Sequence, residues 1–325
     1  MKTSVRSLLA ASVLAALGAP GAAAVAADAW PARPIRLIVP FPPGGSNDIV
    51  ARLVGAHLSE RLGKTVVVDN RPGAAGTIGT EIAVRAQPDG HTLLIISAAY
   101  AYNPLVYKLP YDPVKAITPV TLLGTGPTSL LVNPGVPVKS AAELIAMAKA
   151  KPGQVFYASA GVGSFTHLSC ELFRIMADIN VVHVPFKGGG PAMLEVMSGR
   201  TQYTMGTIVQ GMPHIRSGRL KVLGVGSTKR LATLPDTPTI AESGVPGYAA
   251  SNWWGIIAPA GAPPGVVKRL HGEVASILKL PEMQKWFVTE GAEPADMSTA
   301  QFAKFILSEM AKWGKVVKAA GIKAE

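Results

Sequence analysis

Residues 35–58 read Ile35–Val39 (IRLIV), Pro40–Gly45 (PFPPGG) and Ser46–Leu58 (SNDIVARLVGAHL). The first five residues form a short apolar run bounded by prolines, which predicts a buried strand. The next six form a proline- and glycine-rich turn. Beyond it Ile49, Leu53, Val54 and Leu58 recur at helical spacing, and Gly63 stops the helix. Strand, glycine turn and helix in immediate succession decide the fold, because the same rhythm continues in both directions along the chain. Val66–Val68 reads as a strand, Asn70–Gly73 as a turn, Ile78–Ala86 as a helix, Pro88–Gly90 as a turn and Leu93–Ile96 as a third strand. This alternation predicts an α/β fold with a parallel sheet and helices on both faces.

The rhythm resumes after about residue 125. Leu130–Val132 reads as a strand. Ser140 and Glu143 have capping-box spacing before a helix over Ala141–Ala150. Val155–Ala158 is a strand, followed by Gly161–Ser164 and a helix over Thr166–Met176. Val181–Val184 leads through Pro185–Gly190 to a helix over Ala192–Met197, and Leu220–Val225 is a further strand. Thr239 and Glu242 can cap a short helix. Trp253–Ala258 is apolar and can cross back to the first part of the fold. Helices follow over Val266–Leu278 and, capped by Ser298 and Gln301, to about Ala320. The expected organisation is two doubly wound α/β domains, one over 27–125 plus 250–325 and the other over 126–249, with a ligand cleft between them.

Composition excludes several classes. The 325 residues suit about two domains. With 48% apolar and 16% charged residues the chain can bury a large core, which excludes wholesale disorder. The 34 glycines and 27 prolines lack a period, which excludes collagen. Cys170 is the single cysteine, so no internal disulfide forms, and six scattered histidines offer no zinc spacing. Lys2 and Arg6, the apolar run Leu8–Ala19 and the small residues Ala24-Val25-Ala26 stand in the order of a secretory signal over 1–26. No cysteine follows the cut, so no lipid anchor is expected. The net charge of +11 is spread along the chain, with Lys229-Arg230 and Lys268-Arg269 the longest basic runs. Nucleic-acid binding is therefore not expected, while a mild positive field can draw small anions.

The chemistry points to those glycine turns. A helix N-terminus carries unpaired N–H groups and a partial positive charge, and a glycine turn lets a ligand approach them. Such turns occur at Pro42–Asp48, Gly73–Thr77, Ser159–Ser164 and Pro185–Gly190. In a parallel sheet they gather at one edge, where ligands bind. Asp48 reads as a first-turn carboxylate that suits the helix dipole or orients a water. Lys187 reads as a solvated charge or a carboxylate partner. Enzyme chemistry lacks support. Gly161-Val162-Gly163-Ser164 and Gly124-Thr125-Gly126 lack the third glycine of a dinucleotide fingerprint, and there is no phosphate loop, GxSxG elbow or HExxH pair. His167 and Cys170, on an apolar helix, read as packing residues. Trp253 and Trp254 read as core or hinge residues, with stacking on an aromatic ligand as the alternative.

Five motifs, in order, resemble the Bug-type receptors of tripartite tricarboxylate transporters: Pro40–Arg52, Asn70–Gly76, Tyr157–Ser164 with His167-Leu168, His183–Gly189 and Trp254–Gly261. Together they span nearly the whole chain after the signal. The resemblance implies a two-domain flytrap fold of the periplasmic-binding-protein kind, a periplasmic location and delivery of a small organic acid to membrane permease subunits by a monomer. It implies no catalytic residue, metal or cofactor. It favours Phe41, Gly44, Gly45, Ser46, Asn47 and Asp48 as ligand residues on one side. On the other it favours Ser159, Gly163, Ser164, Phe165, Lys187, Gly188 and Thr207. One departure stands out: Thr201–Thr207 (TQYTMGT) carries no acidic residue where the family often has one, which implies a pocket with less negative charge. A receptor that informs a sensor protein, or a secreted α/β hydrolase or dehydrogenase, are the alternatives. Citrate-like, aromatic, nicotinate-like and amino acids all remain open as ligands.

Overall fold

β1 covers Ile35–Val39, and α1 covers Ser46–Leu62 and ends on Gly63 in the left-handed region. These bounds come from a computed structural model, described over residues 30–322. The expected secretory signal at 1–26 lies outside the described residues. The first half continues with β2 (Val66–Asn70), a 3₁₀ turn at Ala74–Gly76, α2 (Thr77–Val84), β3 (Thr92–Ser97) and α3 (Ala98–Val106). A 16-residue strand, β4 (Ile117–Val132), leads into the second half. There follow α4 (Ala141–Ala150), β5 (Phe156–Ser159), α5 (Phe165–Ala177), β6 (Val182–Pro185) and α6 (Gly189–Met197). Then come β7 (Tyr203–Thr207), α7 (Ile208–Arg216) and β8 (Lys221–Val225). The chain returns on β9 (Ser251–Pro259) and ends with α8 (Pro264–Leu278), α9 (Pro281–Thr289), β10 (Glu293–Pro294) and α10 (Thr299–Ala320).

The strands order as β2-β1-β3-β9-β4-β7-β5-β6, with β8 and β10 also paired to β4. The outer pairs are parallel, as the rhythm predicts: β1 with β2 and β3, and β5 with β6 and β7. The middle of the sheet is antiparallel. The reason is topological. β4 carries the chain out of the first half and β9 brings it back alongside, so the two must run in opposite directions. β4 changes partners along its length. Ile117–Pro127 pairs with β9, whereas Thr128–Val132 pairs with β7 and β8.

Several elements depart from the expected bounds. Leu130–Val132 is only the tail of β4, because Pro119, Gly124, Gly126 and Pro127 hide the rest of that strand from pattern reading. The elements α3, β7, α7 and α9 were not anticipated, and α3 and α7 each contain a proline. The reciprocal Thr239–Glu242 bonds exist, at 3.1 and 2.7 Å, but close turns rather than a helix. Trp253 and Trp254 are both fully buried. Alternation along β9 sends Trp254 into a cluster with α1, α8 and α9 and Trp253 into one with α10. Among the described residues no helix is long and apolar enough to cross a membrane.

Candidate functional site

The strand-to-helix turns meet in a small chamber between the two halves. Its volume is about 40 Å³. Five helices start at its wall: α1 with Ser46 and Asn47, α3 with Ser97 and Ala99, α5 with Ser164–Thr166, α6 with Gly189 and α7 with Thr207 and Gln210. Phe41, Gly45, Ala160 and Asn252 complete it. Among the described residues no charged side chain lines it. The positive character of the chamber therefore comes from helix dipoles and first-turn N–H groups, an arrangement suited to an anion.

The α1 side is built by Asp48. Its carboxylate accepts from the Gly44 N–H (3.0 Å), from Asn70 Nδ2 (2.9 Å) and from Arg52, whose Nη2 lies at 2.9 Å. Asn70 Nδ2 also donates to the Phe41 carbonyl (3.0 Å), so one buried carboxylate fixes the whole Phe41–Gly45 loop. Burial alone would raise the Asp48 pKa, but Arg52, the Gly44 amide and Asn70 outweigh it and hold the carboxyl below its usual range. Ser46 Oγ accepts from Trp254 Nε1 at 3.3 Å.

On the α5 side most turn amides face inward to their own side chains. Ala160 N–H donates to Thr166 Oγ1 (2.7 Å), Gly161 N–H to Ser159 Oγ (3.1 Å), Gly163 N–H to His167 Nδ1 (3.2 Å) and Ser164 N–H to the Gly161 carbonyl (3.1 Å). Ser164 Oγ caps the helix by accepting from His167 N–H. The donors left for the chamber are the N–H groups of Phe165 and Thr166, which have no partner one turn back. Two side chains on the wall are orphaned: among the described residues Asn47 Nδ2 and Thr207 Oγ1 have no hydrogen-bond partner, although the residues are 4% and 3% exposed. Buried polar groups are rarely left unpaired, and both residues line this chamber.

A second chamber of about 580 Å³ adjoins the first and shares Phe41 and Ala160 with it. Its wall is Pro42, Pro72–Gly76, Tyr107, Gly161, Val162 and Phe186–Gly188, mostly apolar, with Lys187 as the one charged residue. Among the described residues neither wall carries an acid, in keeping with the acid-free Thr201–Thr207 stretch. The halves touch at the mouth, where Tyr107 Oη donates to the Val162 carbonyl at 2.6 Å.

The structure therefore places Phe41, Gly45, Ser46, Asn47, Ser164, Phe165 and Thr207 on the inner wall and Lys187 and Gly188 on the outer wall. Asp48, Ser159 and Gly163 lie behind the walls and Gly44 is exposed beside them, all four with polar groups spent on holding the turns. The sequence reading missed Ser97, Gln210 and Asn252. Ser97 and Asn252 stand one residue outside the expected strands Leu93–Ile96 and Trp253–Ala258, and Gln210 lies on α7, which gave no turn signal. The Gly73–Gly76 turn was visible but was not assigned to the site. Among the described residues no cluster of three or more His, Cys, Asp or Glu could hold a metal.

Residues 50–322 match the family described as tripartite tricarboxylate transporter family receptor. The chain is 37% identical to Protein BugT of Bordetella pertussis over 300 residues, covering 91% of this chain and 92% of that protein. Its fold superposes on the R. palustris protein Rpa4515 solved with adipate, with a TM-score of 0.89, 37% identity and coverage of 91% of this chain and all of the other. MatC from Rhodopseudomonas palustris, solved with bound malate, gives a TM-score of 0.83, 32% identity and coverage of 89% of this chain and all of the other. The α/β architecture is that of the periplasmic binding proteins.

Proposed function

The chain belongs to the tripartite tricarboxylate transporter receptor family, and from that premise we propose that it binds the terminal carboxylate of a small organic acid in the inner chamber. The observation that carries this reading is the convergence of five helix N-termini and two orphaned polar side chains on a space free of charged groups. The small inner chamber admits one carboxylate head, and the larger apolar chamber takes the body of the acid. Ligands with an unbranched or planar body, such as adipate or benzoate, fit this shape better than citrate with its crowded central carbon. The two proteins solved with adipate and malate support the carboxylate assignment.

In this reading the protein captures its ligand without chemical turnover. The inner wall offers hydroxyls but no histidine or carboxylate to activate them. The halves, 27–125 with 250–325 and 126–249, close about the crossing of β4 and β9. The signal at 1–26 exports the chain to the periplasm, where the closed form docks as a monomer on membrane permease subunits.

Thermal denaturation with adipate, benzoate, malate, glutamate and citrate tests the assignment. An acid at 100 times its Kd raises stability by about 2.7 kcal/mol. Adipate or benzoate is expected to exceed citrate, and the acid is recovered unchanged. Asn47→Leu removes a donor that bonds to no protein group among the described residues. It should abolish the shift without lowering the ligand-free Tm. Absence of a shift with every acid, or a variant that retains the full shift, rejects the site.

A further inference from the structure

Behind the α5 turn two imidazoles lie face to face. The ring centroids of His167 and His183 are 4.1 Å apart and 14° from parallel, and Tyr157 lies nearly parallel to His183 at 4.8 Å. Neither imidazole lines either chamber, yet each holds one end of the same turn. A backbone amide can only donate, so the Gly163 N–H at 3.2 Å requires a bare Nδ1 on His167, and the proton sits on Nε2. Ser159 Oγ lies 2.6 Å from His183 Nε2 and already accepts from the Gly161 N–H. Ser159 is fully buried, so its hydroxyl proton must reach Nε2 or go unpaired. His183 Nε2 is therefore an acceptor, and its proton sits on Nδ1. The turn is held by two neutral rings of opposite tautomer.

We propose that His167 and His183 are positioning residues of the ligand site, which lock Gly161 and Gly163 against the protein interior so that the Phe165 and Thr166 amides face the chamber. The proposal rests on the carboxylate-binding reading above. Protonation of His167 at Nδ1 would set a donor against the Gly163 amide. Protonation of His183 at Nε2 would leave the Ser159 hydroxyl without an acceptor. The charged groups around the stack are Glu171 and Arg174 on α5. Glu171 accepts from Tyr157 Oη at 2.7 Å and from Arg174 Nε at 2.9 Å, so its charge is already paired.

Long-range proton–nitrogen NMR of the ligand-free protein at pH 7 reads the tautomers directly. His167 is expected as the Nε2–H form and His183 as the Nδ1–H form, which is the minority form of free histidine. A charged ring, or His183 as Nε2–H, overturns the proposal. Substitutions then separate holding from packing. Asn at 167 and Gln at 183 can place an acceptor oxygen where Nδ1 and Nε2 stand, whereas Leu fills the space without one. His167→Asn and His183→Gln should keep slow amide exchange at Gly163 and Gly161 and bind adipate close to wild type. His167→Leu and His183→Leu should lose that protection and bind about tenfold more weakly. Leu variants with wild-type exchange and affinity overturn the proposal and leave the carboxylate reading standing. If the tautomers and exchange behave as expected but wild-type protein binds no acid of the panel, the holding of the turn stands, whereas its role in a ligand site falls with the carboxylate reading.

Discussion

Burial pushes the pKa of His167 down to about 4 and that of His183 to about 3, and the stack adds mutual repulsion at His183. Glu171 pulls both the other way without winning. An unfolded histidine has its pKa near 6.5, so as the pH falls the unfolded chain takes up protons first. The stability tied to these rings is complete above about pH 6.5 and is lost as the pH falls toward 3. Urea unfolding of wild type should show a falling midpoint over that interval. The His167→Asn, His183→Gln double variant should show a shallower fall, and equal slopes in the two proteins would refute the assignment. At this scale the sequence was partly legible. His167 could be recognised as a hydrogen-bonded packing residue from its apolar helix. Its partner on β6 could not, because the two rings meet only through the register that sets Tyr157 beside His183. Asp48 was legible as a first-turn acid, but its bonds to Gly44 and Asn70 depend on the loop folding back.

The last helix shows how an element outside the site supports it. Ser298 and Gln301 cap α10 reciprocally, as their spacing predicts. Eleven residues on from the cap, Glu309 is 7% exposed and accepts from Trp253 Nε1 at 3.0 Å and Trp313 Nε1 at 2.9 Å. Trp313 packs on Tyr102 of α3 at 5.5 Å and meets Phe165 of α5 edge-on at 6.1 Å. One helix thereby joins β9, α3 and the α5 end of the chamber. Glu309→Ala strands two buried indole donors and should cost about 2 kcal/mol or more by urea unfolding. Glu309→Gln keeps an acceptor oxygen and should cost less, so equal losses would show that the indole bonds contribute nothing. The cap of α10 was readable because capping is local. α3 and α7 were not, since Pro104 and Pro213 interrupt their pattern; with α7 went Gln210, and with the start of α3 went the role of Ser97, the last residue of β3.

For the molecule as a whole, the decisive contacts are those across the mouth. Gly188 has φ +122°, and a Cβ there would stand 2.5 Å from Pro42 Cγ of the opposite half. Gly163, at φ +71°, would place one 3.0 Å from Tyr107. These glycines are needed for the halves to meet, in addition to any freedom they give the turns. Gly188→Ala should hold the molecule open. Small-angle scattering with saturating adipate should show a larger radius of gyration than wild type, and affinity should fall at least about tenfold as the closed population drops. Gly272→Ala, where nothing lies within 4 Å, serves as the control. A Gly188→Ala protein as compact as wild type would disprove this role.

The sequence by itself determined the α/β class, most helices and strands, and the glycine turns that become the chamber wall. These depend on periodicity, capping and φ preferences, all of which act within a few residues. The tertiary structure alone decided that the middle of the sheet is antiparallel, that Gly44, Asp48, Ser159 and Gly163 stand off the chamber walls, and that Ser97, Gln210 and Asn252 reach the inner one. Those outcomes depend on which strands lie side by side and on where each buried donor finds its acceptor. Pairing between residues far apart in the chain is set by the packing of the whole molecule, which no short stretch encodes.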